Sequence, residues 1–278
     1  MMEYREINHP VFKESLYITN GVVELIVPLT FGVRIAHFAF CGEENVLYEH
    51  PWDADYLTTE KGWRHGGGHR FWITPETEDS YYPDNDPISY AVEGDSILLA
   101  QAEDPWLKAE KSIRITLKED SVQVCHRLKN TGSETRTCAL WGVTALAKGG
   151  VAHIPAGPIA NEYQPVRNIS LWEYTSLSDP RLHFEENEIL LKWEDVQKKF
   201  KFGVGHPDGP IRYENGNTVF YLEYPIEEAK PYADRNVSFE AFLCRYMIEL
   251  ESLSALMEIP VGQTREYTET WRLKKTLS

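Results

Sequence analysis

The sequence predicts an all-β protein folded as a large antiparallel β-sandwich, and three observations carry that expectation. Helical periodicity is nearly absent, while period-two segments punctuated by turn residues recur from end to end. No internal repeat, low-complexity tract or linker-like shift in composition interrupts them, so residues 1–278 read as a single domain. About fifteen or more strands are too many for one open twisted sheet, so they must close into a sandwich or barrel.

Residues 16–19 and 22–27 flank Asn20-Gly21, a pair that tolerates the positive φ of a type I′ hairpin turn. A strand over 33–40 follows, then a turn at 41–45 and a short strand at 46–48. Residues 49–87 form a long irregular region. Irregular stretches of that length in a compact domain are usually functional or disordered, and seven aromatics from Trp52 to Tyr82 argue against disorder. The meander resumes with 88–92 and 96–102 around Glu93-Gly94-Asp95, then 108–117 and 122–128, then 135–147. A second irregular stretch, 149–180, is rich in Pro, Gly, Asn and Tyr. Strands at 189–193, 199–204, 218–224, 237–253 and 264–273 complete the pattern. The run 237–253 far exceeds the usual five or six residues and must bend or bulge.

Within the first irregular region lies WRHGGGHRFWITPE, residues 63–76. Three consecutive glycines let the backbone adopt φ > 0 or lie close against a neighbour, at an entropic cost that a plain connection would avoid. His69, Arg70, Trp72 and Glu76 then supply a titratable ring, a donor fork, a flat apolar face and an acceptor. That set suits a pocket for a small polar molecule with one hydrophobic side, such as a sugar. The plainer reading is a solvent loop whose aromatics pack on the core.

RYMIELESLS, residues 245–254, is the second concentration of chemistry. Strand alternation puts Arg245, Met247, Glu249, Glu251 and Leu253 on one face. Two carboxylates on one face repel each other, which raises at least one pKa and can prepare a general base; a simply solvated polar face is the alternative. In ALWGVTALAKGG, residues 139–150, Trp141 reads either as core or as a stacking platform for a sugar, and His153 follows in a turn that can reach a site from its edge. His65 and His69 stand four apart, but the glycines between them exclude a helical metal-binding face and no acidic ligand has fixed spacing to them. Neither metal nor cofactor is expected.

Charge narrows the partners. With 43 acidic against 28 basic residues, the net charge of −15 repels phosphate backbones and anionic membranes, so neither nucleic acid nor a membrane is expected as partner. The N-terminus has no apolar signal-like run and no stretch of 18 apolar residues occurs, which points to the cytoplasm. Four widely spaced cysteines fit that reading, with Cys125, Cys138 and Cys244 inside apolar runs as small buried hydrophobes.

Four patches, FGVRIAHFAFCGEENVLYE, GGGHRFWITPE, LWGVTALAKGGVAHIPAGP and RYMIELESLSALMEIPVGQTREYTETWRL, resemble the galactose mutarotase-like superfamily, its bacterial branch in particular. The resemblance implies a large sugar-binding β-sandwich. In aldose 1-epimerases the catalytic base is a glutamate on a late strand, and Leu250-Glu251-Ser252 is similar to that position, with Glu249 as alternative. His69 and Arg70 are similar in place and type to the early sugar-binding residues. The family's general acid is a histidine in an Asn-His-x-x-Phe-Asn-Leu strand, whereas the comparable LWGVTAL has none. The mutarotase reading therefore gives Glu251 the anomeric proton and His69, or else His153, the ring oxygen. Arg70, Trp72, Glu76, Trp141 and Glu249 would hold the sugar. A non-catalytic sugar-binding protein is the alternative from a different class. A carbohydrate lyase or hydrolase using Glu76 and Glu251 is the third.

Overall fold

The computed structural model describes residues 2–51, 54–156, 163 and 167–276, and nearly all of its regular structure is antiparallel β. A seven-stranded sheet runs in the order Ile169–Leu171, Phe200–Val204, Phe239–Leu243, Met247–Leu253, Leu140–Ala147, His69–Ile73, Arg34–Ile35. A ten-stranded sheet is centred on Thr264–Lys275 between Thr218–Glu223 and Val122–Asn130. Glu3–His9, Lys13–Thr19, Val23–Pro28 and His37–Phe40 form a four-stranded sheet, and Arg136–Cys138 pairs with Met257–Ile259. This is the β-sandwich expected from the alternation. The Phe71 ring lies 5.2 Å from that of His126, so the seven-stranded sheet packs directly on the ten-stranded one. One apolar core runs between them, drawing Phe71, Phe202 and Phe239 from the first and Ile113, Val124 and Trp271 from the second.

Three local expectations are revised. At the first hairpin only Gly21 takes positive φ; the Asn20 side chain instead accepts the backbone N–H groups of Val22 and Val23. Asparagine favours such local turns because its short amide mimics a backbone carbonyl. The strand expected over 33–40 breaks at Ala36, its first part joining the seven-stranded sheet and its second the four-stranded one. The long 237–253 run neither bends nor bulges but folds back on itself. Phe239–Leu243 and Met247–Leu253 pair from Phe239↔Ser252 to Leu243↔Ile248, and Arg245 sits in the turn. There it pairs with Asp195, leaving the carboxylates of the strand to other cations.

Most consequential is the glycine segment. Residues 69–73, expected inside an irregular region, form an almost fully buried strand between Leu140–Ala147 and Arg34–Ile35. The glycines are its sharp entry. Gly66, Gly67 and Gly68 all lie near φ +64 to +68, a left-handed run that only glycine adopts without strain. A Cβ at Gly66 would overlap the buried Arg34 guanidinium, and one at Gly67 the Tyr48 carbonyl oxygen. Arg34 in turn donates to the His65 carbonyl at 2.7 Å, fixing the turn from beneath. Gly67→Ala is therefore expected to destabilise the protein by about 2 kcal/mol or more, since left-handed strain and a clash with backbone add. Urea unfolding measures it, and a loss under about 0.5 kcal/mol would mean that the turn relaxes freely.

Candidate functional site

One face of the seven-stranded sheet carries the polar residues of five consecutive strands. Lys201, Glu240, Glu249 and Glu251, Trp141, and Arg70 with Trp72 come from these strands in that order across the sheet. The period of two dictates this: Met247, Glu249 and Glu251 share a face, while Ile248, Leu250 and Ser252 point into the core. Over that face lies a cavity of about 730 Å³, within the range of small-molecule sites. Arg70, Trp72, Trp141, Lys201, Phe242, Met247, Glu249 and Glu251 line its floor, and the wall comes from Trp63, His65, Glu76, Tyr81, Trp172 and Tyr174. Loop segments carrying Leu57–Thr59 and Lys198–Lys199 complete the rim.

Two carboxylates on the floor are in opposite electrostatic states. Glu249 Oε1 accepts hydrogen bonds from Arg70 at 2.8 Å and His65 Nε2 at 2.9 Å. Burial pushes its pKa up, but Arg70 and then His65 more than reverse that and hold it at about 2. His65 accepts the Gly67 N–H on Nδ1, so its proton sits on Nε2. Burial and the Arg70 charge lower its pKa to about 4, which leaves it neutral near pH 7. The Arg70 guanidinium also lies 4.5 Å from the centre of the Trp72 ring. This trio is a fixed anchor, with Arg70 Nε left free of any hydrogen-bond partner.

Glu251 is poised instead. Burial raises its pKa to about 7, opposed by Lys201 and reinforced by the Glu249 charge. Lys201 Nζ sits 3.0 Å from Glu251 and 2.7 Å from Glu240, the residue directly opposite Glu251 on the neighbouring strand. Burial works against the ammonium, but Glu251 and Glu240 outweigh it and keep it protonated. Glu240 is pushed well above the ordinary carboxylate range by burial, with Lys201 opposing and the Glu251 charge reinforcing the shift. Indole rings of Trp141 and Trp172 bracket Lys201 at 4.6 and 4.8 Å. Lys201 donates the hydrogen bond that the Glu251 carboxylate accepts on Oε2.

The cavity brings together six of the residues singled out from sequence: Arg70, Trp72, Glu76, Trp141, Glu249 and Glu251. It does not bring His69 or His153. His69 alternates with Arg70 on its strand, so its ring enters the core behind the sheet, 2.7 Å from His126 and with no exposure. His153 lies in the ten-stranded sheet among Glu188, Glu214 and Arg212. The expectation that either histidine meets the sugar is thus replaced by a cavity whose one histidine among the described residues is His65. Glu76 faces the cavity from its wall, where it accepts the Tyr81 hydroxyl. Sequence reasoning missed Lys201 and Glu240. Their signal was present in FKFGV and FEAFL, where a single charge interrupts an apolar strand.

The fold is similar to that of several solved structures. A candidate aldose 1-epimerase of Escherichia coli K12 is similar over 99% of this chain and 100% of that one, at 13% identity and TM-score 0.61. A candidate mutarotase of Salmonella typhimurium is similar over 99% and 97%, at 12% identity and TM-score 0.60. A galactose mutarotase-like protein of Lactobacillus casei is similar over 94% and 100%, at 8% identity and TM-score 0.56. The chain therefore has the galactose mutarotase-like fold. No protein-family model matches the sequence, and no curated protein is detectably similar to it. No helix of the described residues is long and apolar enough to cross a membrane.

Proposed function

We propose that the cavity binds a sugar and that Glu251 interconverts its anomers as an aldose 1-epimerase-type general base. The observation that carries this is a buried carboxylate held at about 7 on the floor of an aromatic cavity. A base works best near the ambient pH, where it is both ionised and basic enough to take a proton. Aromatic faces of Trp72 and Trp141 suit the C–H side of a pyranose, and the Arg70–Glu249–His65 anchor offers fixed polar groups to its hydroxyls. Solved neighbours of the same fold bear mutarotase and aldose 1-epimerase names, which supports the choice of substrate class.

In the proposed step Glu251 removes the anomeric O–H proton as the ring C–O bond breaks. The ring oxygen takes a proton from water in the open cavity, since His69 lies behind the sheet. Rotation about the C1–C2 bond and the reverse step then give the other anomer. With base catalysis alone supplied by the protein, the acceleration should be of the order of 10²–10⁴.

A second reading, binding without turnover, draws on one observation: His65, the cavity's histidine, is neutral and already committed to Glu249 and Gly67. Both readings share a binding test. Trp72→Ala and Trp141→Ala are each expected to weaken sugar binding by about tenfold or more, as lost aromatic contacts of 1–3 kcal/mol would. Titration of a monosaccharide panel followed by protein NMR measures this. Unchanged affinity in both variants, or no binding of any sugar by the wild type, would reject the carbohydrate reading itself.

A further inference from the structure

We propose that His69, His126 and Glu269 form a binding site for a divalent first-row transition metal ion, with Zn²⁺ the best match. The site lies between the two large sheets, on the opposite side of the seven-stranded sheet from the cavity. It does not depend on the carbohydrate reading.

Three donor atoms converge there from three strands. His69 Nε2 lies 2.7 Å from His126 Nε2. Glu269 Oε1 lies 3.4 Å from the first and 3.6 Å from the second. The point equidistant from atoms at those separations is about 1.9 Å from each, just short of the 2.0–2.2 Å at which Zn²⁺ takes nitrogen and oxygen ligands. An ion about 0.7–1.1 Å off the plane of the three atoms reaches that range with the donors where they stand. Two imidazoles and a carboxylate are a donor set that suits zinc, iron, cobalt or nickel better than calcium or magnesium, which prefer all-oxygen sites.

The surroundings orient each donor as an outer shell does. His126 directs Nδ1 at the Tyr267 carbonyl at 3.2 Å, which puts its proton there and leaves the Nε2 lone pair inward. His69 Nδ1 meets the Thr144 hydroxyl at 2.9 Å. Ser252 donates to Glu269 Oε2 at 2.6 Å, turning Oε1 toward the histidines. Gly142 gives the carboxylate its room, since a Cβ there would press against Glu269 at 2.9–3.1 Å.

A purely hydrogen-bonded reading accounts for less. A proton shared between the two Nε2 atoms satisfies the histidine pair, but Glu269 Oε1 remains buried outside hydrogen-bond geometry, and the Trp271 Nε1–H that faces Glu269 is buried without a partner too. An unpaired buried carboxylate oxygen is costly. One dication satisfies both lone pairs and the carboxylate at once. The spacing of His65 and His69 pointed away from metal; the partners of His69 are instead 57 and 200 residues further along the chain, which no local motif can signal.

The test uses the full-length protein expressed in zinc-supplemented medium. About one equivalent of metal is expected by elemental analysis, falling below about a tenth in Glu269→Gln and in His126→Gln. Protein unfolded with chelator and refolded with Zn²⁺ should melt several degrees higher than protein refolded without it, and refolding with Co²⁺ should give a visible ligand-field absorption that both variants lack. Circular dichroism checks that the variants fold; Glu269→Gln keeps the side-chain shape. Wild type that retains no metal and melts identically with and without Zn²⁺ would overturn the proposal. So would metal retained equally by folded variants, because the ion would then lie elsewhere.

Discussion

Glu251→Gln is expected to slow anomer interconversion by about 10²–10⁴-fold while changing sugar affinity only a few-fold, because glutamine keeps the shape and removes the base. Lys201 keeps Glu240 as a partner in this variant, so the fold should survive. The wild-type rate carries a pH signature of the same group. A base must be ionised to act, and burial has raised Glu251 to about 7, so the rate should climb between pH 6 and 8 and level off above. Glu249, pinned at about 2 by Arg70 and His65, would give a rate flat over that range if it were the base instead. Polarimetry or exchange NMR across pH separates the two. A Glu251→Gln protein with full activity would sink the assignment; binding with no turnover in the wild type would move the site to the binding-only reading.

The fold was legible because alternation is a local property. A run such as Met247–Leu253 announces both its strand and the shared face of Glu249 and Glu251 without reference to any partner. Which side of a sheet faces the cavity is not local. Strand Leu140–Ala147 is buried on both faces, and its Trp141 and Gly142 read alike until the neighbours are known. The same limit explains His69. It stands beside Arg70 in the sequence, and one step along a strand reverses the direction of the side chain, so adjacency in the motif meant opposite sides in space. Lys201 was invisible for a different reason. A lysine inside FKFGV makes sense only beside Glu240 and Glu251, and those contacts join residues 39 and 50 positions apart.

Lys201→Met should produce the largest loss of stability among the cavity variants, about 3–5 kcal/mol near pH 8. The wild-type ammonium stands between two buried carboxylates on paired strands, and its removal leaves Glu240 and Glu251 facing each other uncompensated. Both already have raised pKa values, and losing the lysine raises them further. The sign of the pH effect follows. A carboxylate whose folded pKa exceeds its unfolded value of about 4.3 supports the fold below that value and loses this contribution as pH rises through the folded one. The gap between variant and wild type should therefore be widest above pH 7 and narrow toward pH 5, as protonation of Glu251 removes its charge. Urea unfolding at pH 5 and pH 8 measures it. Adding Glu240→Gln to Lys201→Met should restore part of the loss at pH 8 by deleting one of the stranded charges. Equal destabilisation at both pH values would assign the effect to the lysine stem packed between Trp141 and Trp172, and the electrostatic account would fail. The same variant bears on catalysis: with its ammonium gone, the rising limb of any pH–rate profile should shift above 7, tying the stability of the floor to the ionisation of its base.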